Sequence, residues 1–326
     1  MTHLDLDKNQ SLGPDCVSRE SFLDAAATAA LLPYPMLVNE LESVLRDPAV
    51  QVHARSVLSL PGGGSLFVMP ALDQTTAISK LITYTPANAG TGRPTIQGDV
   101  IVFDIPTGAR KLVLHGPTVT ARRTAAVSAL AAQRLAPAHP LSRAGPLLII
   151  GAGVQARSHL EAYVQVLGVR EVFIASRGTE SANALAEHAR SLGASAQVAS
   201  DVSQALPHCP LVVTCTPARV VVLNSVTRAD SFIAAVGAFT PGMAEISAEL
   251  CRDIAARGRI VLDSADARHE AGEILQARIA LEGLPTLRDA LDQPCPAAGP
   301  VLFKSCGWAG WDLAAARLAR RLSLTS

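Results

Sequence analysis

One stretch restricts the fold of this chain more than any other. Pro146-Leu-Leu-Ile-Ile150 is a short apolar run, Gly151-Ala-Gly-Val-Gln-Ala156 follows it without a gap, and a helical pattern begins at Gln155. An apolar run of this kind that ends in glycine reads as a buried parallel strand. Each small residue of the GxGxxA spacing then answers a separate demand. The first glycine permits a tight turn, the second lets a pyrophosphate approach the backbone, and the small third residue lets helix pack on strand, with the helix N-terminus facing the phosphates. A purely structural turn would satisfy a bare GxG. Here the strand before, the helix after and a second strand at the right distance all agree. Gly151, Gly153, Val154, Gln155 and Ala156 are therefore expected to form a dinucleotide-binding turn.

The surrounding sequence alternates strand and helix signals. The Gln155 helix carries Leu160, Val164 and Leu167 on one face and meets Gly168 as a stop. A strand at Glu171–Ser176 follows, then a helix over Glu180–Leu192 closed by Gly193, then strands at Leu211–Thr216, Ser231–Gly237 and Arg259–Asp263. This pattern predicts an α/β fold, a Rossmann-type doubly wound parallel sheet over residues 121–302. Residues 1–120 read differently: a helical opening is followed by extended segments at Gln51–Leu60, Ser65–Pro70, Ala77–Tyr84, Asp99–Asp104 and Lys111–His115, separated by Gly and Pro. They predict an α+β domain with a largely antiparallel sheet. A helix over Thr120–Leu135, capped by Thr120, is expected to lead from one domain into the other.

Several function classes are disfavoured. Lys+Arg and Asp+Glu balance at 28 each, so no net field draws nucleic acid or an anionic membrane. Apolar runs are broken by Pro, Gly or charge before a bilayer span is reached. The opening Met1-Thr-His-Leu-Asp has no basic segment leading into an apolar core, and Ala25–Leu32, between Asp24 and Pro33, reads as a helix and turn rather than a secretion signal. Cys16, Cys209, Cys215, Cys251, Cys295 and Cys306 are scattered, with no metal-ligand spacing. Reduced thiols, a cytoplasmic location and no protein-bound metal are the expectations.

The end of the second strand bears on the cofactor. NAD-binding domains place an acid about 20 residues past the motif, on the ribose hydroxyls. This chain has Ser176-Arg177-Gly178 there. Arginine pairs with a 2′-phosphate through charge-assisted bonds and serine can donate to it, so NADP(H) is the expected cofactor, with Ser176 and Arg177 as ligands. A solvated surface arginine is the alternative. On the substrate side, Arg55, Lys80 and Arg123 stand out. Arg123 would fall in the first turn of the Thr120 helix, where the macrodipole disfavours a cation unless an anion binds nearby. Spacing alone does not select these three.

Several segments resemble the ornithine cyclodeaminase/mu-crystallin family: Val68-Met-Pro70, Lys80, Val119-Thr-Ala-Arg-Arg-Thr-Ala-Ala126, Gly151–Ala156, Val236-Gly-Ala238, and Phe303-Lys-Ser-Cys-Gly307 leading to Asp312-Leu-Ala-Ala-Ala316. The resemblance implies an N-terminal substrate-binding and dimerisation domain that residues 303–326 rejoin, and a homodimer. It places Arg55, Lys80 and Arg123 at substrate-carboxylate and active-site positions, and Thr216, Val236 and Lys304 near the cofactor. Lys80 would bind the carboxylate or tune protonation of the substrate nitrogen. Asp312 is a recurring position, which the residues alone make a structural acid at a helix start. Cyclodeaminases of the family carry an Asp just after Val-Gly-Ala; here that place is held by Phe239, which cannot accept a proton. The segment is similar to the ketimine reductases of the family, which reduce Δ1-pyrroline-2-carboxylate and Δ1-piperideine-2-carboxylate to proline and pipecolate. Phe239 and Trp308 would wall the site or simply pack the core. An ornithine cyclodeaminase, an NADP-linked amino-acid dehydrogenase and a non-catalytic NADPH-dependent binding protein stay open as alternatives.

Overall fold

The computed structural model describes residues 22–137, 144–217, 220–294 and 298–324. Two seven-stranded sheets organise the chain. The first holds β1 (Phe22–Leu23), β2 (Gln51–Val52), β3 (Ser56–Leu60), β4 (Gly64–Leu72), β5 (Thr76–Tyr84), β6 (Ile96–Asp104) and β7 (Arg110–His115). Its order is β1-β7-β6-β5-β4-β2, with β3 also on β4. Strands β4 to β7 form an antiparallel meander, and β1 joins β7 in parallel. Along β5 the alternation places Thr76, Ile78, Lys80 and Ile82 on the buried face. A lysine in that row has to find an anion among the helices behind the sheet.

Those helices are α1 (Ala25–Ala30), α2 (Tyr34–Arg46) and α3 (Gly116–Leu135). Asp24 caps α1 by accepting from the Ala27 amide at 2.8 Å. Leu37, Leu41, Val44 and Leu45 form the apolar stripe of α2. The third helix corrects an expectation: it starts at Gly116, one turn before Thr120, with His115 as its cap. Pro117 sits in the first turn, where its missing N–H costs nothing, and His115 Nδ1 accepts from the Thr118 amide at 3.4 Å. Thr120 turns its hydroxyl back onto the Gly116 carbonyl instead. Arg123 thus lies in the second turn, beyond the reach of the end dipole, and its counter-charge comes from elsewhere.

The second sheet runs β8 (Leu147–Ile150), β9 (Glu171–Ala175), β10 (Ser195–Val198), β11 (Leu211–Thr214), β12 (Phe232–Ala235), β13 (Arg259–Leu262) and β14 (Val301–Lys304). Its order is β10-β9-β8-β11-β12-β14-β13, and every neighbouring pair is parallel. This is the expected Rossmann-type doubly wound sheet, with its switch of direction between β8 and β11. Strands β8, β11, β12 and β14 are buried throughout, which explains their unbroken apolar runs. The connecting helices are α4 (Val154–Ala162), α5 (Thr179–Ser191), α6 (Val202–Ala205), α7 (Ala248–Arg257), α8 (Gly272–Gln276) and α9 (Leu287–Ala290). After α4, Gly168 takes φ +74° and ends the following turn; Gly193 takes φ +81° after α5.

Strand β14 slots between β12 and β13, so Phe303 and Lys304 belong to the Rossmann sheet, two residues past the expected crossing. The chain then leaves the sheet and enters α10 (Ala309–Ser323), which packs against α2, β4 and β5 of the first domain. Asp263, just beyond β13, fastens the exit. Its Oδ2 accepts from Ser305 Oγ at 2.8 Å and from the amides of Cys306 at 3.1 Å and Gly307 at 2.8 Å. One apolar cluster runs from Leu37 and Leu41 through Leu130 to Leu147, Phe303 and Trp311, so the domains share a core. Among the described residues no helix is long and apolar enough to cross a membrane, and Cys209, Cys215, Cys251 and Cys306 are buried free thiols. Cys16 and Cys295 lie outside the described residues.

The Asp263 clamp gives a stability test. Asp263→Ala leaves three buried donors without their acceptor and is expected to cost about 3 kcal/mol, measured by urea unfolding. Unfolding curves that superimpose on the parent's would show that the clamp is dispensable.

Candidate active site

The C-terminal edge of the Rossmann sheet carries the expected cofactor residues. Gly151 adopts φ +124°, and a Cβ there would lie 2.9 Å from the Cys215 carbonyl oxygen, so glycine is required where β8 passes the end of β11. Gly153 precedes α4 with no side chain capping the helix, which leaves the first amides unclaimed. Space opens around Gly153, and Ala152, Gly153, Val154, Arg157, Ser181 and Leu185 line a groove beside it. Ala156 is wholly buried where helix meets sheet, while Val154 stands exposed. Gln155 Oε1 is buried without a partner. Open backbone, bare amides and a groove fit a dinucleotide pyrophosphate.

Ser176 and Arg177 follow β9 on the same edge. The Ser176 hydroxyl accepts from the Gly178 amide at 3.4 Å, and Arg177 is exposed with no hydrogen bond or ion pair among the described residues. Thr216 and Val236 follow β11 and β12, where a buried acid that no sequence motif marks, Glu245, ties the strand ends together. Its Oε1 accepts from the Thr216 amide at 2.6 Å and hydroxyl at 2.9 Å; its Oε2 accepts from Thr214 Oγ1 at 2.9 Å and the Gly237 amide at 2.7 Å. Lys304 is placed differently from the expectation of a cofactor ligand. Its ammonium is fully buried, 3.0 Å from Glu273 Oε1, and donates to the Ala238 carbonyl at 2.5 Å. Burial alone would draw its proton off; the carboxylates of Glu273 and Glu245 hold its pKa above the usual lysine value. It is a strut beneath the Val236–Ala238 turn.

Across the cleft, Arg55, Lys80 and Arg123 come together, although they arrive from a loop, a strand and a helix. Asp312, in the first turn of α10, organises two of them: its Oδ1 takes Lys80 Nζ at 2.9 Å and Arg123 Nε at 3.3 Å. All three groups are buried, and Asp312 Oδ2 has no hydrogen-bond partner. Asp312 is thus a counter-ion of the site rather than only a helix-start acid. Met69 of the Val68-Met-Pro70 segment pairs with Lys80 in the sheet and keeps it in register. Burial draws Lys80 down to about 8, against the pull of Asp312.

Gly307 joins Arg55 and Arg123 to the crossing. At φ +93°, a Cβ there would stand 3.2 Å from an Arg123 guanidinium nitrogen, and its carbonyl accepts from Arg55 at 3.2 Å. Arg55 also meets Glu270 Oε2 at 2.5 Å, pairing the first domain with the Rossmann domain. Burial pushes Glu270 up to about 7, although Arg55 pulls the other way. No motif marks Glu270 in the sequence; it sits after a short turn at Ala265–His269. Trp308 packs edge-on against Trp311, with ring centroids 4.9 Å apart, while Phe239 remains partly exposed beyond β12. Among the described residues no cluster of His, Cys, Asp and Glu is arranged to hold a metal.

The ornithine cyclodeaminase/mu-crystallin family model matches residues 29–321. The chain belongs to this family. It is 40% identical over 309 residues to Delta(1)-pyrroline-2-carboxylate reductase 1 of Burkholderia multivorans, covering 93% of this chain and 96% of that protein. It is 39% identical over 301 residues to the Delta(1)-pyrroline-2-carboxylate/Delta(1)-piperideine-2-carboxylate reductase of Azospirillum brasilense, covering 91% and 94%. Among solved structures, the Delta(1)-pyrroline-2-carboxylate reductase of Thermococcus litoralis, in complex with NADH and L-proline, shares the family fold. Its TM-score is 0.84 at 23% identity, covering 93% of this chain and 97% of that one.

The buried lysine makes stability depend on pH in a defined direction. Lys80 titrates at about 8 in the fold, below the ordinary value of about 10.4 expected unfolded. Between these values the unfolded chain binds more protons, so stability rises with pH. Relative to Lys80→Met, the parent should gain on the order of 3 kcal/mol between pH about 8 and about 10.5 in urea melts. Parallel curves for the two proteins would mean that Lys80 is not depressed.

Proposed function

We propose that this chain is an NADPH-dependent reductase of cyclic ketimines, converting Δ1-piperideine-2-carboxylate and Δ1-pyrroline-2-carboxylate to L-pipecolate and L-proline. The observation that carries the proposal is the meeting of Lys80 and Arg123 on Asp312 and of Arg123 and Arg55 at Gly307, opposite the Rossmann edge, with Phe239 where a cyclodeaminase needs an acid. The similarity to Δ1-pyrroline-2-carboxylate reductases over nearly the whole chain supports it.

Asp312 alone takes both Lys80 and Arg123 while Glu270 takes Arg55, a cation-rich arrangement suited to an anionic substrate. Arg55 and Arg123 would grip the substrate carboxylate and fix the imine carbon toward the nicotinamide. Lys80, buried beneath, adds charge that water screens little. A bound NADPH would supply the hydride. The amides of α4 and Gly153 would hold its pyrophosphate, and Ser176 and Arg177 its 2′-phosphate. The Glu245 and Lys304 struts keep the Thr216 and Val236 turns fixed beside it.

A homodimer suits the apolar residues Val57, Leu58, Tyr84 and Ile96 left exposed on β3, β5 and β6 of the first sheet. Buried free thiols accord with a cytoplasmic location.

Turnover tests the reading directly: loss of NADPH absorbance with each freshly made imine, beside proline release from ornithine plus NAD. Imine-dependent oxidation is expected, with none from ornithine; the reverse pattern would make the chain a cyclodeaminase. Arg123→Ala should raise KM for the imine about 100-fold and leave the Kd for NADPH nearly unchanged, because the ligand it would grip is the substrate carboxylate and not the cofactor. Unaltered imine kinetics would take Arg123 out of the site. Arg177→Ala should weaken NADPH about 10- to 100-fold and NADH hardly at all in fluorescence titrations. Equal losses for the two cofactors would sink the 2′-phosphate assignment.

A further inference from the structure

The site holds one carboxylate whose position serves neither packing nor the fixing of a buried cation. Asp312 is sealed under Lys80 and Arg123, and Asp263 is occupied by the amides of the crossing. Glu270 differs from both. It is only half-buried, its Oε2 takes Arg55, and its Oε1 has no hydrogen-bond partner among the described residues. Its single cation is also a group that the proposed reaction needs for the substrate carboxylate. Glu270 and the Gly307 carbonyl both hold Arg55 through Nη2, so a substrate carboxylate that takes the Nη1–Nη2 edge competes with Glu270 for that nitrogen.

We propose that Glu270 is the proton donor to the imine nitrogen, freed for that task when the substrate carboxylate takes its place on Arg55. This rests on the ketimine-reductase reading given above. Loss of Arg55 removes the charge that favours ionised Glu270, while Asp263 and Asp266 still repel a negative charge there and burial still penalises it. The Cys306 thiol, pushed above its usual range by burial, stays neutral and adds no charge. A carboxyl already titrating at about 7 therefore takes up a proton as substrate docks.

The chemistry then balances. The imine carbon accepts the hydride that reduced nicotinamide supplies. The π pair of the C=N bond forms a new N–H bond with the Glu270 proton, and the former O–H pair stays on the carboxylate. The ionised Glu270 re-engages Arg55, which helps the product carboxylate leave, and solvent at the half-open mouth restores the proton.

The experiment is calorimetric titration of the NADP-loaded protein with pyrrole-2-carboxylate, a planar carboxylate without a reducible imine, in buffers of different ionisation heat. At pH about 8 the parent should take up most of one proton per ligand bound beyond the uptake of Glu270→Gln, which keeps only the share of Lys80, itself titrating at about 8. In turnover, Glu270→Gln should lose about 100-fold in kcat with KM unchanged or lower. That loss should shrink as pH falls toward about 6, where solvent itself protonates the imine. Glu270→Asp, which keeps an acid, should restore both proton uptake and much of the rate. No uptake by the parent, equal uptake by Glu270→Gln, or an undiminished kcat in that variant would each overturn the assignment. A parent that reduces neither imine removes the ketimine-reductase reading itself and the role of Glu270 with it. A parent that turns over normally beside an unimpaired Glu270→Gln removes the role alone.

Discussion

Asp312 Oδ1 is shared between Lys80 Nζ at 2.9 Å and Arg123 Nε at 3.3 Å, with all three groups out of contact with solvent. Neither cation could occupy that position alone, since an unpaired buried charge costs several kcal/mol. The three come from a strand of the first sheet, the connecting helix and the last helix of the chain. Their meeting requires that α10 return from the Rossmann domain and seat against β5 and α3. The return in turn requires β14 to leave its sheet at one fixed point, which Asp263 sets by holding the amides of Cys306 and Gly307. Two cations on one carboxylate also leave surplus positive charge facing the cleft. The same arrangement that permits burial makes the site receptive to an anion.

A similar economy governs the cofactor edge. Parallel strands end with carbonyls and turns pointing in one direction, and these turns would be mobile if each stood alone. Glu245 accepts four hydrogen bonds from the ends of β11 and β12, and Lys304 reaches from β14 to the turn after β12. These buried charges are costly unless nearly every partner is present, so they specify one geometry for the shelf on which a dinucleotide would lie.

Much of this was legible in the sequence, for physical reasons that differ along the chain. The Rossmann half announces itself because buried parallel strands must be apolar throughout and the Gly151 turn admits no side chain. The first sheet was legible as extended segments, since its strands alternate. What escaped was non-local. Strand β14 is only four residues long and draws its identity from neighbours far away in sequence. The start of α3 went to Thr120 because threonine is a strong cap, yet Gly116-Pro117 allowed the helix to begin a turn earlier under His115. Lys304 was expected beside the cofactor and lies beneath the turn, because its partners Glu273 and the Ala238 carbonyl are invisible to spacing. Family resemblance singles out the three substrate-side cations; the one physical cue, on Arg123, rests on a helix start that the structure moves to Gly116. The acids that hold the strand ends, the crossing and Arg55, namely Glu245, Asp263 and Glu270, belong to no pattern.

The late return of α10 bears on how the protein is made. A ribosome releases the chain from its N-terminus, and domains generally fold as units as they emerge. Here the first domain is translated early but cannot bury Lys80 or Arg123 until Asp312, 232 and 189 residues further on, has left the ribosome. Until then it holds two unneutralised cations facing an open groove, and the Rossmann sheet lacks the strand between β12 and β13. Both halves are completed by the same closing segment of about two dozen residues, so an interrupted chain ends with two unfinished domains rather than one working module.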